Sequence, residues 1–124
     1  TDVTIIATGT MVYQSLQAAK ILEEDGIDCT VVNMHTIRPL DDAMIVKTCK
    51  STQLVVTVEE GFISGGLGSA VADSAQRQNI SKPMDFIGLT DFPHAGFYRY
   101  MLEQTGLSGA KIAERIKAKL KSCL

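Results

Sequence analysis

The stretch that decides the fold is Leu54-Val55-Val56-Thr57-Val58-Glu59-Glu60-Gly61-Phe62-Ile63-Ser64-Gly65-Gly66-Leu67-Gly68-Ser69-Ala70-Val71-Ala72. It opens with five residues of buried-strand character, passes two adjacent carboxylates and a glycine-rich turn, and ends in the start of a helix. Strand, glycine loop and helix in that order build phosphate cradles, because a helix start offers free N–H groups to an anion. Gly66-Leu67-Gly68-Ser69-Ala70-Val71 begins like GxGxxG, but Val71 stands at the third glycine position. The motif also follows the third predicted strand rather than the first, and Glu59 and Glu60 would repel a pyrophosphate. The glycines are equally accounted for as a turn that needs positive φ and close backbone approach. In that reading the helix N–H groups are neutralised by Glu59, by Glu60 or by a partner's carboxylate.

Outward from this stretch the pattern repeats. Val3-Thr4-Ile5-Ile6-Ala7-Thr8 is an apolar strand, followed by Gly9-Thr10 and a helix over 11–25 whose apolar face is Val12, Leu16, Ala19 and the Ile21-Leu22 pair. Residues 27–34 read as a second strand, and Pro39 then breaks the chain before Asp41 or Asp42 caps a helix to Lys50. The third strand is 54–58, the third helix 67–78 with Leu67, Val71 and Ala75 inward, and the fourth strand 84–89. A loop from Thr90 leads to a helical turn at 98–104, and Ser108 caps a last helix with Ile112, Ile116 and Leu120 on one side. Alternation at this spacing requires parallel strands with crossover helices, hence one domain over 1–124 with a three-layer α/β/α sandwich.

Composition narrows the function classes. The 124 residues are 45% apolar, with 12 Lys+Arg against 14 Asp+Glu, so no basic surplus points to nucleic acid. No apolar run approaches the roughly 20 residues of a membrane span. Cys29, Cys49 and Cys123 are odd in number and widely spaced, which fits reduced thiols in the cytoplasm. His35 and His94 have no metal-ligand spacing, no serine lies in a GxSxG elbow, and Glu59 and Glu60 point to opposite faces of a strand, so no catalytic set is visible.

Taken as an ordered set, Asp2-Val3-Thr4-Ile5-Ile6-Ala7-Thr8-Gly9, Thr36-Ile37-Arg38-Pro39-Leu40-Asp41, Val56-Thr57-Val58-Glu59-Glu60, Gly65 to Ala72 and Gly106-Leu107-Ser108 with Ile112 resemble the C-terminal domain of transketolase and its thiamine-diphosphate-dependent relatives. The resemblance implies an enzyme that moves a two-carbon ketol unit between sugar phosphates with thiamine diphosphate and a divalent metal, Mg or Ca. It implies that the cofactor sits between two other domains of a homo-oligomer, one for the diphosphate and one for the pyrimidine ring, and that this segment binds no cofactor. The role left to this chain is assembly, with Arg38, Asp41, Glu59, Glu60, Gly65, Gly66 and Gly68 forming an interface or structural loop and the two glutamates facing a domain boundary. Four parallel strands in the order 2-1-3-4 are expected, without the family's antiparallel edge strand, leaving an edge open beside Cys29–Asn33. One departure stands at Pro93-His94-Ala95-Gly96-Phe97-Tyr98, where transketolases read closer to FGESG. Three alternatives remain. The first is the beta subunit of a 2-oxoacid dehydrogenase decarboxylating component, which shares stretches like IRPLD and VEEG. The second is deoxyxylulose-phosphate synthase, ranked behind on its different residues before the proline, and the third a non-catalytic module using the helix start at Gly66–Ser69 for an anion.

Overall fold

In a computed structural model the described residues are 1–90 and 98–123. The elements are β1 (Val3–Ala7), α1 (Met11–Glu24), β2 (Cys29–Asn33), α2 (Asp42–Lys50), β3 (Leu54–Phe62), α3 (Leu67–Arg77), β4 (Met84–Leu89), α4 (Tyr98–Thr105) and α5 (Gly109–Cys123). The strands form one parallel sheet in the order β2-β1-β3-β4, as expected, with Ile5 opposite both Val31 and Val56. No fifth strand is drawn from the described residues.

The period-2 alternation of the central strands sorts side chains into two cores. Val3, Ile5, Leu54, Val56 and Val58 pack with α1, α4 and α5. Ile6 and Val55 face the other way, onto Ile45 of α2 and Leu67, Val71 and Ala75 of α3. Burial of these aliphatic side chains contributes about 1.5–3 kcal/mol each and supplies most of the driving force.

Two elements differ from expectation. Helix α1 buries Met11, Ser15, Ala18 and Leu22 and turns Leu16 out to 52% exposure, so its inward stripe is rotated from the one expected. The reason is close approach: Gly109 opens α5 against this helix, where an added Cβ would lie 2.7 Å from Gln17 Cβ, and its N–H donates to Gln14 Oε1 at 2.9 Å. Gln14, Gln17 and Ala18 face that contact, and Leu16 does not. Strand β3 runs on to Phe62, so both glutamates lie inside the strand, where the pairing with β4 shifts register between Val58 and Phe62. That irregularity is a bulge, which re-aims side chains near the end of a strand.

The two sheet edges are unlike. At β4, Arg115 of α5 donates to both carboxylate oxygens of Asp85 at 2.7 Å and to the Phe86 carbonyl at 3.1 Å. The guanidinium thus occupies an acceptor of the edge strand. At the other edge, β2 pairs only with β1 among the described residues.

The cysteines are unpaired, with Cys49 buried, Cys29 half-buried and Cys123 exposed. Burial and then the neighbouring Asp28 charge push the Cys29 thiol up to about 12 from 9.0. Alkylation with iodoacetamide at pH 8 should therefore modify Cys123 first and leave Cys29 unmodified until the chain unfolds, as read by peptide mass spectrometry. Equal rates at the two sites would contradict the burial. The same shift carries a sign: the folded thiol keeps a proton that the unfolded one has lost between pH 9 and 12. Its contribution to stability is whole below pH 9 and is lost as the pH rises through that window.

Candidate functional site

The carboxyl end of β3 carries the two glutamates to opposite faces. Glu59 shares a face with Val55 and Thr57 and is 4% exposed. Its Oε1 accepts the Leu67 N–H at 3.0 Å and its Oε2 accepts the Gly68 N–H at 2.8 Å. These are the first N–H groups of α3, the donors that a helix leaves without internal partners. A carboxylate eight residues upstream thus caps the helix from below, and charge-assisted bonds of this kind are worth about 1.5–3 kcal/mol each.

Glycines make room for that carboxylate. An added Cβ at Gly66 would stand 1.8 Å from Glu59 Oε1, and one at Gly68 would lie 2.9 Å from a Phe86 ring carbon and 3.0 Å from Thr57 Oγ1. Gly88, next to last in β4, would place a Cβ 3.0 Å from the Gly61 carbonyl oxygen and 3.1 Å from Glu59 Cγ. Gly65 has another reason, a φ of +82°. Its N–H donates to Ser69 Oγ at 2.9 Å, and that hydroxyl donates to the Ile63 carbonyl at 3.1 Å, so the loop is closed on itself. Gly88 was absent from the sequence-based candidates, although a glycine inside a strand is the ordinary sign of close backbone approach.

The second singled-out stretch meets the first. Arg38 is exposed and lines a cleft of about 420 Å³ with Gly65, Gly66, Ser69, Asp73 and Arg77. Asp41 caps α2, its Oδ1 accepting the Met44 N–H at 3.0 Å. Ser74, in the second half of α3, donates to Asp42 at 2.5 Å, tying that helix to the start of α2. Glu60 lies apart on the α1 side, exposed, where it accepts from Thr10 Oγ1 at 2.5 Å. Glu59, enclosed beneath α3, belongs to the interior of the domain rather than to a boundary. Reversal of its charge would act on the domain's own folding. His35 is exposed and bonds to Thr36, while His94 and the departure at Pro93–Phe97 lie outside the described residues.

A diphosphate does not fit this loop. The N–H groups of Leu67 and Gly68 are already spent on a buried carboxylate, which would repel a phosphate brought to the same place. Among the described residues no three His, Cys, Asp or Glu side chains are grouped to hold a metal.

With this geometry in view, the similarity to known proteins is decisive. The transketolase C-terminal domain pattern matches residues 1–112. The chain belongs to the transketolase C-terminal domain family. Among its relatives, a 1-deoxy-D-xylulose-5-phosphate synthase of Synechococcus sp. (strain JA-2-3B'a(2-13)) is 45% identical over 123 residues, 98% of this chain and 19% of that protein. A putative transketolase C-terminal section from Methanocaldococcus jannaschii is 43% identical over 121 residues, 97% of this chain and 37% of that protein. Among solved structures, a split-gene transketolase described as an inactive beta4 tetramer superposes with a TM-score of 0.90 at 36% identity, over 97% of this chain and 39% of that one. The Campylobacter jejuni transketolase shares the fold at a TM-score of 0.67 and 22% identity, over 94% of this chain and 17% of that one. The family domain therefore spans about a fifth of the length of the synthase it matches, 19%.

Proposed function

We propose that the chain is the assembly domain of a thiamine-diphosphate enzyme that transfers a two-carbon ketol unit between sugar phosphates. It works beside cofactor-binding domains or a cofactor-binding subunit in a homo-oligomer in the cytoplasm. The observation that carries the reading is the superposition on a split-gene transketolase chain at a TM-score of 0.90 across 97% of these residues. When bound by the other domains, thiamine diphosphate with a divalent metal, Mg or Ca, would supply the chemistry of two-carbon transfer. The residues of this chain build and orient a rigid block: Glu59 fixes α3, Asp41 fixes α2, and Arg38 with the Gly65-Gly66 turn presents the cleft between them. The three free cysteines support a reducing compartment.

A second reading is 1-deoxy-D-xylulose-5-phosphate synthase, favoured by 45% identity to a protein of that name. The two separate in one experiment. The protein carrying this chain, saturated with thiamine diphosphate and Mg²⁺, is given ketose and aldose phosphates, and the exchange of two-carbon units is followed by mass spectrometry. A parallel arm supplies pyruvate with the aldose phosphate, the 2-oxoacid losing CO2 as it gives its remaining two carbons, and looks for 1-deoxy-D-xylulose 5-phosphate. Two-carbon exchange that disappears when residues 1–124 are deleted is the expected result. Product only in the second arm selects the second reading, and product in neither removes both.

A further inference from the structure

The large apolar side chains left exposed among the described residues are Tyr13, Leu16, Phe62, Tyr98 and Tyr100, between 42% and 64% exposed. Scattered surface residues of this kind need no explanation. These are not scattered. Phe62 ends β3, opposite Leu89 at the end of β4, and Tyr98 opens α4 over the same strand ends. Tyr13 lies one turn beyond Thr10, whose hydroxyl is bonded to Glu60 of β3. Tyr13, Phe62 and Tyr98 thus stand at the carboxyl end of the sheet, and Glu60 lies among them.

Beside Glu60 is a cleft of about 100 Å³ walled by Leu89, Tyr98 and Met101. That is well below the roughly 300–1,000 Å³ of a cofactor or small-molecule site. It suits one unbranched side chain. Glu60 accepts from a neutral hydroxyl and pairs with no cation among the described residues. Covering it without a counter-charge would strand a carboxylate in a dry interface, whereas a cation there is held by the carboxylate and by the face of a tyrosine ring. Tyrosine and arginine are also the residues that dominate interface energetics.

We propose that this carboxyl-end face docks the cofactor-binding portion of the enzyme, and that the cleft receives an arginine or lysine side chain from it, paired with Glu60 against Tyr98. The inference rests on the function proposed above and adds the face and the chemistry of the contact. The test is hydroxyl-radical footprinting of the assembled enzyme, with the urea-unfolded enzyme as reference. A free face would leave Tyr98 and Tyr100 labelled at about half the unfolded rate, as their exposure dictates, and a docked, water-excluding one at less than about a tenth. Glu60→Lys, and separately Met101→Trp to fill the cleft, should each restore labelling at least about threefold while thermal unfolding of the domain is unchanged.

Full labelling in an enzyme that assembles and turns over would overturn the inference and leave the proposed function standing. Protection that neither variant relieves would overturn the cation pocket. A protein that neither assembles nor binds thiamine diphosphate would remove the proposed function itself.

Discussion

Gly66→Ala should abolish folding of the domain or cost it at least about 3 kcal/mol, the upper end of overpacking penalties, in a protein whose total stability is roughly 5–15 kcal/mol. The backbone at Gly66, with φ −101°, is open to any residue, so no conformational strain contributes. The whole effect is steric, from a methyl carbon 1.8 Å from a carboxylate oxygen and 2.9 Å from the Phe62 carbonyl oxygen. Neither neighbour is free to retreat, because that oxygen holds the Leu67 N–H and the carbonyl belongs to the sheet. Gly65→Ala offers the contrast: it meets nothing within 4 Å, and its φ of +82° limits the cost to about 1–2 kcal/mol. Chemical denaturation of the two variants measures both. Gly66→Ala unfolding at the same denaturant concentration as the parent would show that Glu59 does not sit in the glycine cradle.

Glu59→Gln should destabilise by about 2–4 kcal/mol, lowering the melting temperature by roughly 10 °C, although it is isosteric. The amide keeps one acceptor where two N–H groups require two, and turns its NH₂ toward a backbone donor. Glu60→Gln, on an exposed residue bonded to a hydroxyl, should stay within about 0.5 kcal/mol of the parent. A double-mutant cycle sharpens the point. Glu59→Ala removes the nearest atoms that Gly66→Ala strikes and leaves only the Phe62 carbonyl oxygen at 2.9 Å, so the loss in the double variant should fall well short of the sum that independent sites would give. Additive losses would mean that the two residues do not touch. Calorimetry on the four proteins decides it.

The legibility of the chain follows its physics. Strand and helix alternation was readable because parallel strands buried on both faces are near-continuous apolar runs, and Val3 to Ala7 and Leu54 to Val58 have no other use. The inward side of α1 was not readable, because it is set by contact with Gly109, 95 positions from Gln14, which turns Gln14, Gln17 and Ala18 toward α5 and leaves Leu16 out. At the site, the possibility that a glutamate serves the helix N–H groups was legible, since two acids before a helix start repel a phosphate and can take its place. Which glutamate it is depends on which face of β3 the third helix covers: α3 packs on the Val55 face, which Glu59 shares by alternation, and local sequence does not encode that choice. The convergence of Arg38 with Gly65 and Gly66 was invisible for the same reason: it is made by the packing of α2 on α3.

The Arg115 clamp at Asp85 and Phe86 has a consequence for what copies of this domain can do to one another. Edge-to-edge growth of sheets into a filament needs a head and a tail, one strand that accepts and another that offers. Among the described residues the β4 rim is stoppered by a guanidinium, and the β2 rim is the one left to pair. Two copies that met there would join β2 to β2 about a twofold axis, present stoppered rims outward on both sides, and stop. The sheet is a plug with one contact, not a link with two, and stray pairing ends in a closed pair rather than a fibre.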